Sequence, residues 1–159
     1  EQEAEQDGEA PEAEDEPDGE GPVAEGSDDA AEAPDACGLL DGVDLAALLG
    51  EAAGEPEDQS DAFGGACAVP AASGSRSQVA LAVITDRPED NYDEHVELYG
   101  VDREISGLGD RAFQSGSMVT ALQDGVLLRL QVVRDASVGG RADDATLEAA
   151  MAAVLAKLG

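Results

Sequence analysis

The stretch SMVTALQDGVLLRLQVV, residues 117–133, decides the fold. Two apolar runs, 117–123 and 126–133, flank Asp124-Gly125. An Asp-Gly pair between apolar runs is a strong hairpin signal, because a type I′ turn needs positive φ at both central positions. In the second run Arg129 alternates with Leu128 and Leu130, so it points away from the core. The sequence therefore predicts an antiparallel sheet with at least one buried face.

Working outward, Arg111–Gln114 reads as a short strand entered through the turn Gly107-Leu108-Gly109-Asp110. The two glycines supply positive φ and Asp110 can hydrogen-bond the turn. Further upstream, 66–70 is a strand stopped by Pro70, and 73–77 (SGSRS) has turn chemistry. Residues 78–85 form a strand with Val79, Leu81 and Val83 on one face. These two strands are expected to pair as an antiparallel hairpin. Residues 86–106 are ambiguous, with a short helix expected over Asn91–Tyr99, where Tyr92, Val96 and Tyr99 share one side.

Helices bracket this sheet. At the C-terminal end Leu147, Met151, Val154, Leu155 and Leu158 form one face of an amphipathic helix, capped by Asp143 or Asp144. At the N-terminal end a short helix is expected over 42–49, with Asp41 as its N-cap, Asp44 as a capping-box-like partner and Gly50 ending it. The expected class is α+β. It comprises an antiparallel sheet of about five strands, with a short N-terminal helix and an amphipathic C-terminal helix packed on it and helices covering one face.

Composition divides the chain at Cys37. Residues 1–36 hold sixteen of the thirty-seven acids and none of the eight bases, which leaves 37–159 at −13 of the total −29. Val23 is the only sizeable aliphatic residue there. Such a segment cannot bury enough apolar area to offset its chain entropy, so 1–36 is expected to be a disordered acidic tether. Stretched, it would reach about 120 Å at roughly 3.3 Å per residue. A tail binding Ca²⁺ or a cationic partner is the sharper alternative, but its acids lack the spacing and turn glycine of a calcium loop. Residues 37–159 are expected to be a single domain.

The charge argues against nucleic acid and against anionic membrane surfaces as partners, since both need clustered Lys and Arg. No stretch approaches the ~20 apolar residues of a membrane span. A halophilic or cytosolic acidic protein is an alternative, although the acids concentrate in the leader rather than spreading evenly. Arg103, Arg111, Arg129 and Arg134 are the bases of the sheet half, available to pair with surface acids or to line a ligand groove.

Cys37 and Cys67 bracket the first helix. A disulfide between them would tie that helix to the sheet and implies an oxidising compartment. Two buried free thiols are the alternative. Two cysteines and one histidine do not make a closed zinc set, and there is no Cys-x-x-Cys. No cofactor motif is present. His95, the single histidine, sits among Asp93, Glu94 and Glu97, which reads as a solvated acidic segment. A hydrolase would have to use His95 or a carboxylate pair. There is no Gly-x-Ser-x-Gly elbow, and Gly107-Leu108-Gly109 lacks the context and lysine of a phosphate loop.

The pattern of 35–50 (DACGLLDGVDLAALLG), then 65–69 (GACAV), the strand at 78–84 and 105–113 (ISGLGDRAF) resembles the actinobacterial DUF3558 family of secreted lipoproteins. The resemblance spans about 37–158, with Ala68 standing where an aromatic residue often follows the second cysteine. It implies an exported, cell-surface domain whose lipid-bearing cysteine lies upstream of Glu1, with the acidic leader as spacer. It implies no chemistry, because the family has no established activity. The function expected is non-catalytic binding of an envelope ligand or protein by a monomeric domain, with membrane association only through that anchor. The Gly107, Gly109, Asp110, Asp124 and Gly125 turns are expected to be structural.

Overall fold

A computed structural model describes residues 33–62 and 64–159. In chain order the elements are α1 (Ala36–Leu40), α2 (Leu45–Leu49), β1 (Glu57–Asp58), β2 (Gly65–Pro70), β3 (Gln78–Ile84), α3 (Pro88–Tyr99), β4 (Arg103–Glu104), β5 (Arg111–Ser115), β6 (Met118–Gln123), β7 (Val126–Val133) and α4 (Asp144–Leu158). The strands form one antiparallel sheet in the order β1-β2-β3-β7-β6-β5-β4. The fold is α+β, as the sequence predicts. Seven strands stand where about five are expected. The extra two, β1 and β4, are two-residue edge strands too short to show any periodicity. Short edges also offer little template for pairing with another chain.

The hairpin at Asp124-Gly125 forms where expected. Both residues hold positive φ, 50° and 77°, and the strands pair from Gln123↔Val126 to Met118↔Gln131. The β2–β3 hairpin also forms, with Cys67 opposite Leu81 and Val69 opposite Val79. Between the hairpins the chain crosses from the sheet centre to its far edge through α3. It then returns strand by strand until β7 pairs with β3.

One face of the sheet carries the main core. Val79, Leu81 and Val83 of β3, Leu128, Leu130 and Val132 of β7, and Val119 and Ala121 of β6 meet Leu147, Met151, Val154 and Leu155 of α4. Asp143 caps α4, its carboxylate accepting from the Thr146 backbone N–H and hydroxyl. The start of α4 is fastened to the sheet edge by Gln114, which is buried on the same face. Gln114 Oε1 accepts from Arg103 Nε and Nη2, while Nε2 donates to Gly116 O and Asp144 Oδ1. All four hydrogen-bonding positions of the amide are used. Arg103 also pairs with Glu148 at 2.6 Å.

The expected N-terminal helix 42–49 is shortened to α2, and a second, unexpected helix, α1, precedes it. Gly42, at φ 87°, interrupts the path. Asp41 is consequently the C-cap of α1, not an N-cap. Asp35 caps α1 by accepting from Cys37 N, and Asp44 caps α2 by accepting from Ala47 N. Gly50 ends α2 in the left-handed region, as expected. Ala36 is buried in the core, so folded structure begins just before the compositional break. Five-residue helices do not persist alone. Each is packed on the sheet, and each has its C-terminal carbonyls covered by a cation, which also opposes the helix dipole. Lys157 Nζ donates to Gly38 O and Asp41 O at the end of α1. Arg134 donates to Leu48 O and Ala47 O at the end of α2.

α3 lies on the opposite face of the sheet, so helices cover both faces rather than one. It starts at Pro88, three residues earlier than expected, with the proline at the helix start where its missing N–H costs nothing. Tyr92 packs edge-on against Phe113, with ring centroids 5.4 Å apart, and Leu122, Leu127, Ile84 and Val96 complete a second small core.

The Gly107–Asp110 turn separates two kinds of glycine. Both Gly107 (φ 80°) and Gly109 (φ 64°) need positive φ. A Cβ on Gly107 would meet open space, whereas one on Gly109 would lie 2.7 Å from Leu122 O. Gly107→Ala should therefore cost about 1–2 kcal/mol from the left-handed backbone alone. Gly109→Ala should cost about 2–4 kcal/mol, because overpacking adds to that strain. Chemical denaturation of both variants measures the difference, and equal losses would refute the steric reading of Gly109.

Candidate functional site

Cys37 in α1 and Cys67 in β2 form a disulfide, with Cα atoms 5.0 Å apart. Cys67 is buried and faces the main core beside Leu81. The bond closes a loop over a sequence separation of 30. In the chain-entropy description this stabilises the fold by about 3–4 kcal/mol. A disulfide in a small domain is consistent with an extracytoplasmic location. Among the described residues no helix is long and apolar enough to cross a membrane.

The turn residues are structural in position. Asp110 does more than its own turn requires, since its carboxylate accepts from Asp124 N at 3.0 Å and so secures the neighbouring β6–β7 turn. No titratable group of these turns converges on a cleft. The apolar space between the sheet and α4 is filled by Leu147, Met151 and Val154. A groove of about 360 Å³ instead runs along the outer side of α4 against α2, lined by small residues such as Ala47, Ala149 and Ala153. Asp44, its one titratable residue, is occupied in capping α2. Among the described residues no three His, Cys, Asp or Glu side chains stand together as metal ligands.

The chemistry gathers on the other face, beneath α3. His95 is not solvated, as its acidic neighbours suggest; it is only 8% exposed. Three residues after Tyr92 and four before Tyr99, it falls on the helix side that meets the sheet. The His95 and Tyr99 rings meet edge-on at 5.5 Å. Arg129 Nη1 donates to Tyr99 Oη at 3.2 Å. Thr120, fully buried, is the register partner of Arg129 across the β6–β7 hairpin. His95 Nδ1 and Thr120 Oγ1 are buried and have no hydrogen-bond partner. Burial pushes the His95 pKa below its ordinary 6.5, Arg129 pushes it the same way, and Glu94 opposes them.

Beyond Arg129 the same face carries small side chains, Ala80 and Ala82 being half-buried. Its register neighbour on the other side is Ala82, and Ala80 lies opposite Gln131. Ala66 and Ala68 of β2 continue this small-residue floor. Val133 and Tyr99 stand at its margins, both substantially exposed. Sequence reasoning placed Arg129 outward but missed Thr120 and the inward His95. The signal for Thr120 was present, because a two-residue turn at 124–125 forces Thr120 opposite Arg129.

Of the four bases in the sheet half, three have defined structural roles. Arg103 holds Glu148 and Gln114. Arg111 pairs with Asp93 at 3.3 Å and stacks 4.1 Å over the Tyr92 ring. Arg134 covers the end of α2. Arg129 alone has a neutral phenol as its hydrogen-bond acceptor.

The lowered His95 pKa fixes the sign of a pH effect. The unfolded chain takes up a proton near pH 6.5, while folded His95 resists until lower pH. Stability is therefore full above about 6.5, falls as the pH drops below it, and levels off once folded His95 also protonates. Urea unfolding of the wild type should show lower stability at about pH 5.5 than at about pH 7.5. His95→Gln should flatten that difference, and an unchanged slope in the variant would assign it to other groups. Comparison with protein-family models, with curated proteins and with solved structures returned no match.

Proposed function

We propose that this chain is an exported, non-catalytic binding domain of the cell envelope, of the kind its resemblance to the actinobacterial DUF3558 lipoproteins implies. The observation that carries the reading is the Cys37–Cys67 disulfide between α1 and the sheet. A covalent tie at this point is kept in an oxidising compartment and lost in a reducing one. By the same resemblance the acidic leader is the link to a lipid anchor upstream of Glu1. The domain acts as a monomer toward an envelope ligand or protein.

A binding role is favoured over hydrolysis by where His95 lies. It is held under α3 with burial and Arg129 both disfavouring its protonation. The carboxylates singled out by depressed pKa serve local turns and caps. Asp135, held down at about 2, accepts from Ser137 and Arg76 backbone N–H groups. Asp143 accepts from Thr146.

Peptide mapping of the protein from its native host tests the location. The linked Cys37–Cys67 peptide should be recovered from the envelope fraction without reductant. Two alkylatable thiols in a soluble cytosolic fraction would sink the proposal. The full chain used as bait in envelope extracts should retain a defined component that the reduced and alkylated chain does not.

A further inference from the structure

We propose that the sheet face beside the C-terminal half of α3 binds a small oxyanion, a carboxylate or phosphate group. Arg129 is its charged partner, Thr120 and His95 are hydrogen-bond donors beneath the helix, and Ala80 and Ala82 floor the rest of the ligand. The inference narrows the binding reading above to one site.

Three separate observations converge there. The first is electrostatic. The chain has thirty-seven acids and eight bases, so an arginine on its surface meets a carboxylate by default. Arg87, Arg103, Arg111 and Arg141 each pair with one, and Arg134 and Lys157 cover helix carbonyls. Arg76 lies close enough to Asp135 to lower its pKa. Arg129 has no ion pair among the described residues; its one hydrogen bond goes to Tyr99 Oη, which leaves most of its guanidinium donors unused.

The second observation is the pair of buried polar atoms without partners, His95 Nδ1 and Thr120 Oγ1. Native interiors rarely leave such atoms unmet, and where they do a ligand or ordered water is the usual reason. Both residues border Arg129. Thr120 is its register partner, and His95 touches Tyr99, which Arg129 also contacts. The chemistry of the three side chains has one polarity. Arginine only donates, the threonine hydroxyl can donate, and a neutral imidazole can place its single proton on Nδ1. Apart from the Tyr99 hydroxyl that takes one Arg129 proton, these donors have no acceptor among the described residues, which fits an acceptor-rich anion.

The third observation is access. On the side away from α3, Arg129 is flanked by Ala82 instead of a bulky side chain, and Ala80 and Ala66, like Ala82 only half-buried, continue the small side chains; Ala68 beyond them is buried. Tyr99, 41% exposed, stands over the guanidinium and is the group that must shift for a ligand to reach the buried donors.

The test is an NMR titration of the ¹⁵N-labelled full chain with acetate and, separately, inorganic phosphate. It is run at about 0.15 M ionic strength, where charges beyond about 8 Å are screened. The expected result is a saturable shift confined to the His95 ring, Thr120 and Arg129 Nε, with His95 Nδ1 moving toward its protonated position. The anion that saturates first identifies the headgroup chemistry. Arg129→Gln should weaken binding at least about tenfold, the loss of one charge-assisted contact, while Arg76→Gln leaves it unchanged. Thr120→Val should weaken it severalfold with the Tyr92–Phe113 ring shifts retained. If Arg129→Gln does not fold, Arg129→Lys keeps the charge and loses the fork, and should bind weakly. Shifts that grow linearly with concentration, shifts spread over all arginines, or full binding by Arg129→Gln would overturn the site. So would a water bridging His95 and Thr120 at saturating anion with Thr120→Val binding normally. An envelope component retained equally by wild type and Arg129→Gln would overturn this site and leave the binding reading standing.

Discussion

The ladder between β3 and β7 joins the two halves of this sheet. On one side stand β1 and β2, on the other β6, β5 and β4, and only the pairing from Gln78↔Val133 to Ile84↔Leu127 connects them. The partners are far apart in sequence, so the loop between them must close before the pairing rewards it. α3 and the returning hairpins are that loop. Once the ladder forms, both faces of the sheet are set. Val79, Leu81 and Val83 turn toward α4, while Ala80, Ala82 and Arg129 turn toward α3 and solvent. A slip of one residue would exchange these sets.

Legibility in the sequence followed the strength of the local signal. Asp124-Gly125 has one good conformational solution, and α4 repeats its apolar residues over about three turns, so both were readable. The N-terminal helices were not separable by pattern, because Asp35, Asp41 and Asp44 are all good caps and Gly42 decides between them only through its backbone. α3 was readable as a helix, yet nothing local says which sheet face it crosses. His95 was misread for a related reason. Its neighbours in sequence are acids, but its neighbours in space lie three and four residues away and across the sheet. The two-residue edge strands carry no pattern at all.

The bases of this acidic chain are few and are used mainly inside its own architecture. Lys157 and Arg134 cover the ends of two helices too short to stand alone, and Arg103 with Gln114 fastens α4 to the sheet edge. The Arg134 and Arg103–Gln114 contacts are short and partly buried, so salt screens them less than it screens the repulsion among the exposed acids. The same distribution makes Arg129 conspicuous, since it touches α3 only through the neutral Tyr99 phenol and ring and has no carboxylate partner among the described residues.

The disulfide also decides how the fold would meet a pull. Tension arriving along the chain from before Asp35 reaches Cys37 after a single residue of α1 and passes through sulfur into β2, two strands from the sheet centre. The rest of α1 and all of α2 lie beyond that junction and are spared. Peeling from the N-terminal side would have to rupture a covalent bond or part β2 from its neighbours β1 and β3. Reduced, the same chain would unzip from its first helix.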